Sequence, residues 1–266
     1  MRKIISFILK SKIYDKFHSI IGRKVFKLSK IFFVDTKHKT LPETNHPLDL
    51  SYQKEFQKYK NGLKSKKFPF MSYSHLVDLL RITEFYKNKE IRFLDYGAGN
   101  LELFAELSKN FKKLNFFYFD QPEYNEIIKN IKKSKSLKKL NIFNPLPKSN
   151  EKFDFVYFGG SLQYIPDYKK SLKGVFKKTK FIIVSQSPFY FNNFDKKNIV
   201  LKQLNLSDNL NFLYLFNFYT FVKFMEKNNF YLVSKNLNRV IKFLNFKNLR
   251  NNYKDIDMYD LLFKKK

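Results

Sequence analysis

A doubly wound, mostly parallel α/β sheet preceded by an N-terminal helical extension is the fold this sequence predicts, and three observations predict it. Apolar strand-like runs alternate with helical segments from Arg92 to Val184. The run Arg92-Phe93-Leu94-Asp95 ends in an acid and opens into Tyr96-Gly97-Ala98-Gly99-Asn100, a turn built on two glycines. A second apolar run, Asn115 to Phe119, ends in Asp120, 21 positions after Gly99. Strand, glycine turn, helix and a second strand tipped with an acid form the unit from which such sheets build nucleoside pockets.

In chain order, the first 40 residues hold 11 basic and 2 acidic side chains, interleaved with Ile4, Ile5, Ile8, Leu9, Ile13, Phe17, Ile20 and Ile21 at helical spacing. That pattern suits either a helix resting on an anionic membrane or one packed on the domain, since Lys12 and Lys16 fall on the apolar side. Leu41 to Leu50, with Pro42, Asn45 and Pro47, reads as a connecting loop, and residues 1–67 are assigned to a basic extension. Residues 68–266 form the main domain. It begins with a helical approach, Met71 to Lys87, which carries His75 and could cover a pocket.

After Asp120 follow a helix (Tyr124 to Ser134), a short apolar piece (Leu140 to Phe143) and the turn Asn144-Pro145-Leu146-Pro147. The strand Phe153 to Phe158 then leads into Gly159-Gly160-Ser161-Leu162-Gln163-Tyr164-Ile165, a helix from Asp167 to Lys178 and a strand from Phe181 to Val184. This alternation is what a parallel sheet requires. From Ser187 to about Leu210 the sequence reads as a long polar connection, the place where substrate choice is expected. Thr220 to Asn228 reads as a helix, with Phe230 to Ser234 and Tyr259 to Phe263 as a final antiparallel pair.

The glycine turn constrains the ligand. A dinucleotide fingerprint needs glycine where Glu102 stands, and an acid in the first helical turn repels a diphosphate bound there. A nucleoside with a cationic centre and no phosphate fits better. S-adenosylmethionine is such a ligand, and Asp120 is placed to accept both ribose hydroxyls.

With those residues in view, the chain from about Phe68 to Lys264 resembles a class I S-adenosylmethionine-dependent methyltransferase with a Rossmann-like sheet, Leu94-Asp95-x-Gly97-x-Gly99 standing as its first motif. Asp120-Gln121-Pro122 and Gly160-Ser161-Leu162-Gln163-Tyr164-Ile165 further resemble a family of bacterial methyltransferases found among surface-polysaccharide genes. The resemblance implies cofactor contacts at Asp95, Gly97, Gly99, Asp120, Gln121, Asn144 and Gly160, and substrate contacts at Ser161, Gln163 and Tyr164, the last two facing either substrate or core. It implies O-methylation of a sugar or glycan precursor. Two departures are Leu101, where many such enzymes carry a third glycine, and Asn144, where an acid is common. An alcohol acceptor must lose a proton as it attacks, and His75, Tyr164 and Asp167 are the candidates for that base.

Composition narrows the alternatives. There are no cysteines and only four scattered histidines, so neither a thiol nucleophile nor a metal site is expected. The net charge of +29 invites a nucleic-acid reading, but the lysines are spread along the whole chain beside 33 phenylalanines and 17 tyrosines. The turn Phe158-Gly159-Gly160-Ser161 also lacks the Asn/Asp-Pro-Pro-aromatic motif of base-amino methyltransferases. RNA or small-metabolite methylation stands as the alternative, with non-catalytic cofactor binding as a third reading. Ser161 is not a nucleophile elbow, because Gln163 occupies a position that needs glycine; it reads as a helix N-cap or a pocket hydroxyl. With no apolar run of spanning length, a cytoplasmic enzyme is expected, with residues 1–40 as its one candidate contact with the inner membrane.

Overall fold

The computed structural model of the protein describes residues 30–35, 37–42, 90–99, 101–132, 140–143, 146, 151–192, 197–204, 210–238, 244–245 and 256–266. The strands are β1 (Lys30–Val34), β2 (Ile91–Tyr96), β3 (Leu114–Phe119), β4 (Leu140–Phe143), β5 (Phe153–Gly159), β6 (Thr179–Tyr190), β7 (Ile199–Leu204), β8 (Leu210–Asn217), β9 (Phe230–Leu237), β10 (Leu244–Asn245) and β11 (Asp257–Lys265). The α-helices are α1 (Glu102–Asn110), α2 (Pro122–Lys132), α3 (Tyr168–Phe176) and α4 (Phe218–Glu226). All the strands belong to one sheet.

Its parallel part runs β4-β3-β2-β5-β6, and β11 pairs antiparallel with both β6 and β9 to finish that edge. The chain therefore winds outward from β2 through β3 to β4, then restarts at β5 and winds the other way. That reversal opens a crevice at the carboxyl ends of β2 and β5, where ligands of such sheets bind.

The strands form because they are runs of Phe, Leu, Ile, Val and Tyr with both faces covered, as a parallel sheet demands. Alternate residues go to opposite layers: Phe93, Phe116, Phe155 and Ile183 join Leu103, Phe104 and Leu107 of α1 and Ile128 of α2 on one face. Leu94, Phe117, Val156 and Ile182 join Leu172 and Val175 of α3 and Phe221 and Met225 of α4 on the other. Two helices start on side-chain caps. Asp167 accepts from Lys170 N at 3.1 Å for α3, and Asn217 accepts from Thr220 N at 2.9 Å for α4.

Two expectations are corrected. The segment after Ser187 is not a polar connection: β6 continues to Tyr190, and β7 and β8 form an antiparallel pair. Strand β1, inside the stretch expected to be helical, pairs with β7 and β10, so part of the extension is built into the sheet. The physical reason is an edge to be covered. Strand β6 outlasts β5, whose pairing with it stops at Gly159 and Ser185, and the freed edge is taken by β8 at Phe189 and Tyr190. Residues 1–29, the loop beyond Pro42, the approach from Met71 to Lys87 with its His75, and Asn144 lie outside the described residues. Among the described residues, no helix is long and apolar enough to cross a membrane.

Candidate functional site

The site is assembled from the loops that leave β2, β3 and β5. Gly97 and Gly99 both have left-handed backbone, φ +72° and +61°, which side chains with a Cβ adopt only under strain. A Cβ on Gly97 would stand 2.5 Å from that of Ser161, so the loop after β5 seats directly on the loop after β2. Ser161 Oγ ties the two together by donating to the Tyr96 carbonyl at 2.6 Å. At Gly99, by contrast, a Cβ would meet nothing within 4 Å among the described residues, so they leave that side of the turn as open backbone.

Asp120 closes the turn from β3. Its Oδ2 accepts from Gly99 N at 2.5 Å and its Oδ1 from Gln121 N at 2.7 Å, while Asn125 Nδ2 donates to its carbonyl at 2.9 Å. Tyr118 OH donates to the Gly99 carbonyl at 2.8 Å, and Gly97 N donates to the Phe119 carbonyl at 2.8 Å. The turn is thus pinned from three directions. Each carboxylate oxygen of Asp120 has used one lone pair on the backbone, which leaves acceptor capacity on both for a vicinal diol.

The electrostatics of this half are acidic. Asp95 is only 3% exposed, and burial, then the neighbouring Asp120, hold its carboxyl well above the ordinary carboxylate range. Burial also raises Asp120, against the lowering effect of its hydrogen bonds from Gly99 and Gln121. Glu102 is buried in the first turn of α1. A phosphate brought here would meet the carboxyls of Asp95 and Asp120, whereas a cation would relieve the repulsion between them.

The other predicted residues are placed as follows. Gly160 follows β5, with its N–H donating to the Ser185 carbonyl at 2.8 Å. Ser161 precedes a 3₁₀ turn, Leu162–Tyr164, but makes no side-chain cap; its hydroxyl is spent on Tyr96. Gln163, expected at substrate or core, is buried, and its Nε2 donates to the carbonyls of Gly160 at 2.8 Å and Gln186 at 3.3 Å. Its Oε1 accepts from Ser187 Oγ at 3.0 Å. The amide stands in for the strand missing between the end of β5 and the start of β8 along β6. Tyr164 packs with Leu201, Leu213 and Met258, and its hydroxyl donates to Gln203 Oε1 at 2.8 Å. Asp167, a candidate base, is the N-cap of α3.

A feature with no sequence signature lies beside this turn. Ser185 and Gln186 of β6 face Asp260 alone on β11, because the pairing shifts from Ser187 with Tyr259 to Val184 with Leu261. At this bulge Gln186 has φ +53°, a left-handed conformation on a residue other than glycine. Its N–H has no strand partner there and donates to Asp260 Oδ1 at 3.0 Å. The same carboxylate accepts from Ser185 Oγ at 2.5 Å and from Asn238 Nδ2 at 2.9 and 3.0 Å. The Gln186 side chain lies over the Gly160 turn, its Oε1 3.3 Å from where a Cβ on Gly160 would be.

Neither a protein-family model nor a curated protein matches the chain. Solved structures do match. The N-terminal domain of EvdMO1, crystallised in the presence of SAH and D-fucose, is 11% identical with a TM-score of 0.52, over 84% of this chain and 100% of that one. The cyclase SpnF is 10% identical with a TM-score of 0.52, over 96% of this chain and 94% of that one. The chain has the Rossmann-like fold these proteins share.

Proposed function

We propose that the protein is an S-adenosylmethionine-dependent methyltransferase whose acceptor is a sugar or glycan precursor of a bacterial surface polysaccharide. The observation that carries the cofactor is the left-handed Gly97–Gly99 turn, closed by Asp120 beside the buried carboxyl of Asp95. The residues present fit the ligand. Open backbone at Gly99 admits it, Asp120 has acceptor capacity for its ribose hydroxyls, and the ionised form of Asp95 would be favoured by its cationic centre.

When bound, S-adenosylmethionine supplies an electrophilic methyl group on a sulfonium sulfur. The chain's part would be alignment: Asp120 would fix the ribose, the turn at Gly99 would admit the cofactor, and the Gly160–Ser161 loop, seated on Gly97, would border the side from which the acceptor comes. Neither Asp167, which caps α3, nor Tyr164, which is bonded to Gln203, is placed as the base. The polysaccharide assignment draws on the Gly160–Ile165 motif, and a sugar acceptor accords with the D-fucose named for EvdMO1.

A second reading, cofactor binding without transfer to an alcohol, draws on the shared fold of SpnF, a cyclase. Incubation with S-adenosylmethionine and a panel of neutral monosaccharides, free and as nucleoside-diphosphate sugars, separates the two. Formation of S-adenosylhomocysteine that depends on one sugar is expected. Cofactor binding with no turnover on the panel would favour the second reading.

A further inference from the structure

We propose that the amino edge of the sheet, at the corner where α3 and α4 end, is a docking surface for an anionic lipid bilayer. The proposal does not rest on the cofactor reading. Helices α3 and α4 lie side by side, with the rings of Phe176 and Phe224 5.9 Å apart, and each carries a lysine in its last turn and another at its C-cap: Lys173 and Lys177 on α3, Lys223 and Lys227 on α4. A spacing of four puts each pair on one helix face. All four lysines are exposed, and none has an ion pair among the described residues.

The end of β11 belongs to the same corner. Lys265 Nζ donates to the Phe176 carbonyl at 3.1 Å and Lys266 N to the Asn229 carbonyl at 2.9 Å, while Lys152 Nζ, just before β5, donates to the Lys177 carbonyl at 3.0 Å. Capping of the last carbonyls of α3 thus accounts for Lys152 and Lys265. The acids at this corner among the described residues are Glu151, Asp154 and Glu226, of which Glu151 is paired with Arg92 and Asp154 with Lys180 at 3.1 Å. Positive charge is left in excess. Fold maintenance does not ask for it, because one basic group suits a helix C-terminus, whereas like charges four apart repel, and here two such pairs stand on neighbouring helices.

The surroundings select the partner. At the start of β9, Tyr231, which pairs with Lys264 of β11, and Val233 are exposed at 38% and 49%, so apolar groups stand beside the charges. Lysines around exposed apolar side chains match the headgroup region of a bilayer, where lysine stems and tyrosine rings reach the acyl boundary while their polar ends stay wet. Lysine is a compact point charge suited to a fluid layer of anionic headgroups. Among the described residues the corner offers no unpaired arginine, whose planar fork grips nucleic-acid phosphates. Asp95 and Asp120 lie at the other end of β2 and β3; with six residues in β2, docking by the amino edge holds the crevice about 20 Å from the lipid.

The test is co-sedimentation of the full chain with vesicles of phosphatidylglycerol and phosphatidylcholine in equal parts, beside vesicles of phosphatidylcholine alone. Binding to the mixed vesicles only is expected, weakening as salt rises. Replacing all four lysines (Lys173→Gln, Lys177→Gln, Lys223→Gln and Lys227→Gln) should lower vesicle affinity by about a hundredfold or more, at about fivefold per lysine, while thermal stability holds. The pair Lys223→Gln and Lys227→Gln alone should lose about twentyfold. A control with the same change of charge at the exposed Lys37, Lys39, Lys169 and Lys170 should lose less than about tenfold. Equal loss in the control, unchanged vesicle binding in the lysine variants, or no binding of mixed vesicles by the wild type would overturn the proposal. So would a duplex RNA that displaces the vesicles and itself loses affinity in the same variants, which would assign the surface to nucleic acid.

Discussion

The two halves of the carboxyl edge are built from different chemistry. On the β2–β3 side the carboxyls Asp95 and Asp120 lie close together, with the buried amide of Asn125 on the Asp120 backbone; on the β5–β6–β11 side the one carboxylate, Asp260, sits among Ser185, Gln186 and Asn238, with Gln163 and Ser187 beside them. In the first half burial and the neighbouring Asp120 keep the proton on Asp95 to higher pH, and a cation would favour its release. The second is satisfied by its own hydrogen bonds. Paired carboxyls at one end of the crevice suit a cationic ligand there, while the one carboxylate at the other end is held by hydrogen bonds from Ser185, Gln186 and Asn238.

The seam between the halves is the most sensitive point. Gly97→Ala should cost about 2–5 kcal/mol, the sum of left-handed strain and overpacking against Ser161. Urea denaturation measures it, and adding Ser161→Gly should return the steric share. A fully stable Gly97→Ala protein would mean that the halves do not meet there. Next in size, Asp120→Ala should weaken S-adenosylmethionine binding by about 1–3 kcal/mol. Unchanged affinity would remove Asp120 from the site.

The acidic half also predicts a pH dependence. Because the folded protein holds the Asp95 proton to higher pH than the unfolded chain, it binds more protons between the two pKa values, and stability falls as pH rises through that window. A cationic ligand favours ionised Asp95, so S-adenosylmethionine affinity rises with pH over the same window and binding releases a proton. Asp95→Asn should flatten both profiles. Thermal melts across pH, with titrations in buffers of different ionisation enthalpy, check this; a flat wild-type profile would contradict it. The smallest effect belongs to the other half. Gln186→Gly should change stability by less than about 1 kcal/mol, since relief of the left-handed strain offsets the added freedom of the unfolded chain and the lost side-chain interactions. A marked loss of stability would show that the amide holds the fold.

The same division governs what could be read from the sequence. The acidic half announces itself because Gly97, Gly99 and Asp120 lie at fixed spacing within one strand-turn-helix-strand unit, where local chemistry dictates local geometry. The other half depends on partners far along the chain: Asp260 reaches Gln186 across 74 positions. Ser185-Gln186-Ser187-Pro188 carries the composition of a loop, and only the bulge and the pairing with β11 make it strand. Strand β1 escaped notice for a like reason, being fixed by pairing with β7 some 170 residues later. Gln163 and Tyr164 were legible as a motif but not as roles, since each is decided by a distant amide or carbonyl.

The most direct measurement is titration of the wild-type protein with S-adenosylmethionine beside ATP and NAD. Saturable binding of S-adenosylmethionine with release of a proton, and no measurable heat from either phosphate-bearing nucleotide, is the predicted result. Tighter binding of ATP or NAD, or no binding of S-adenosylmethionine, would contradict the assignment of the acidic half to a cationic nucleoside.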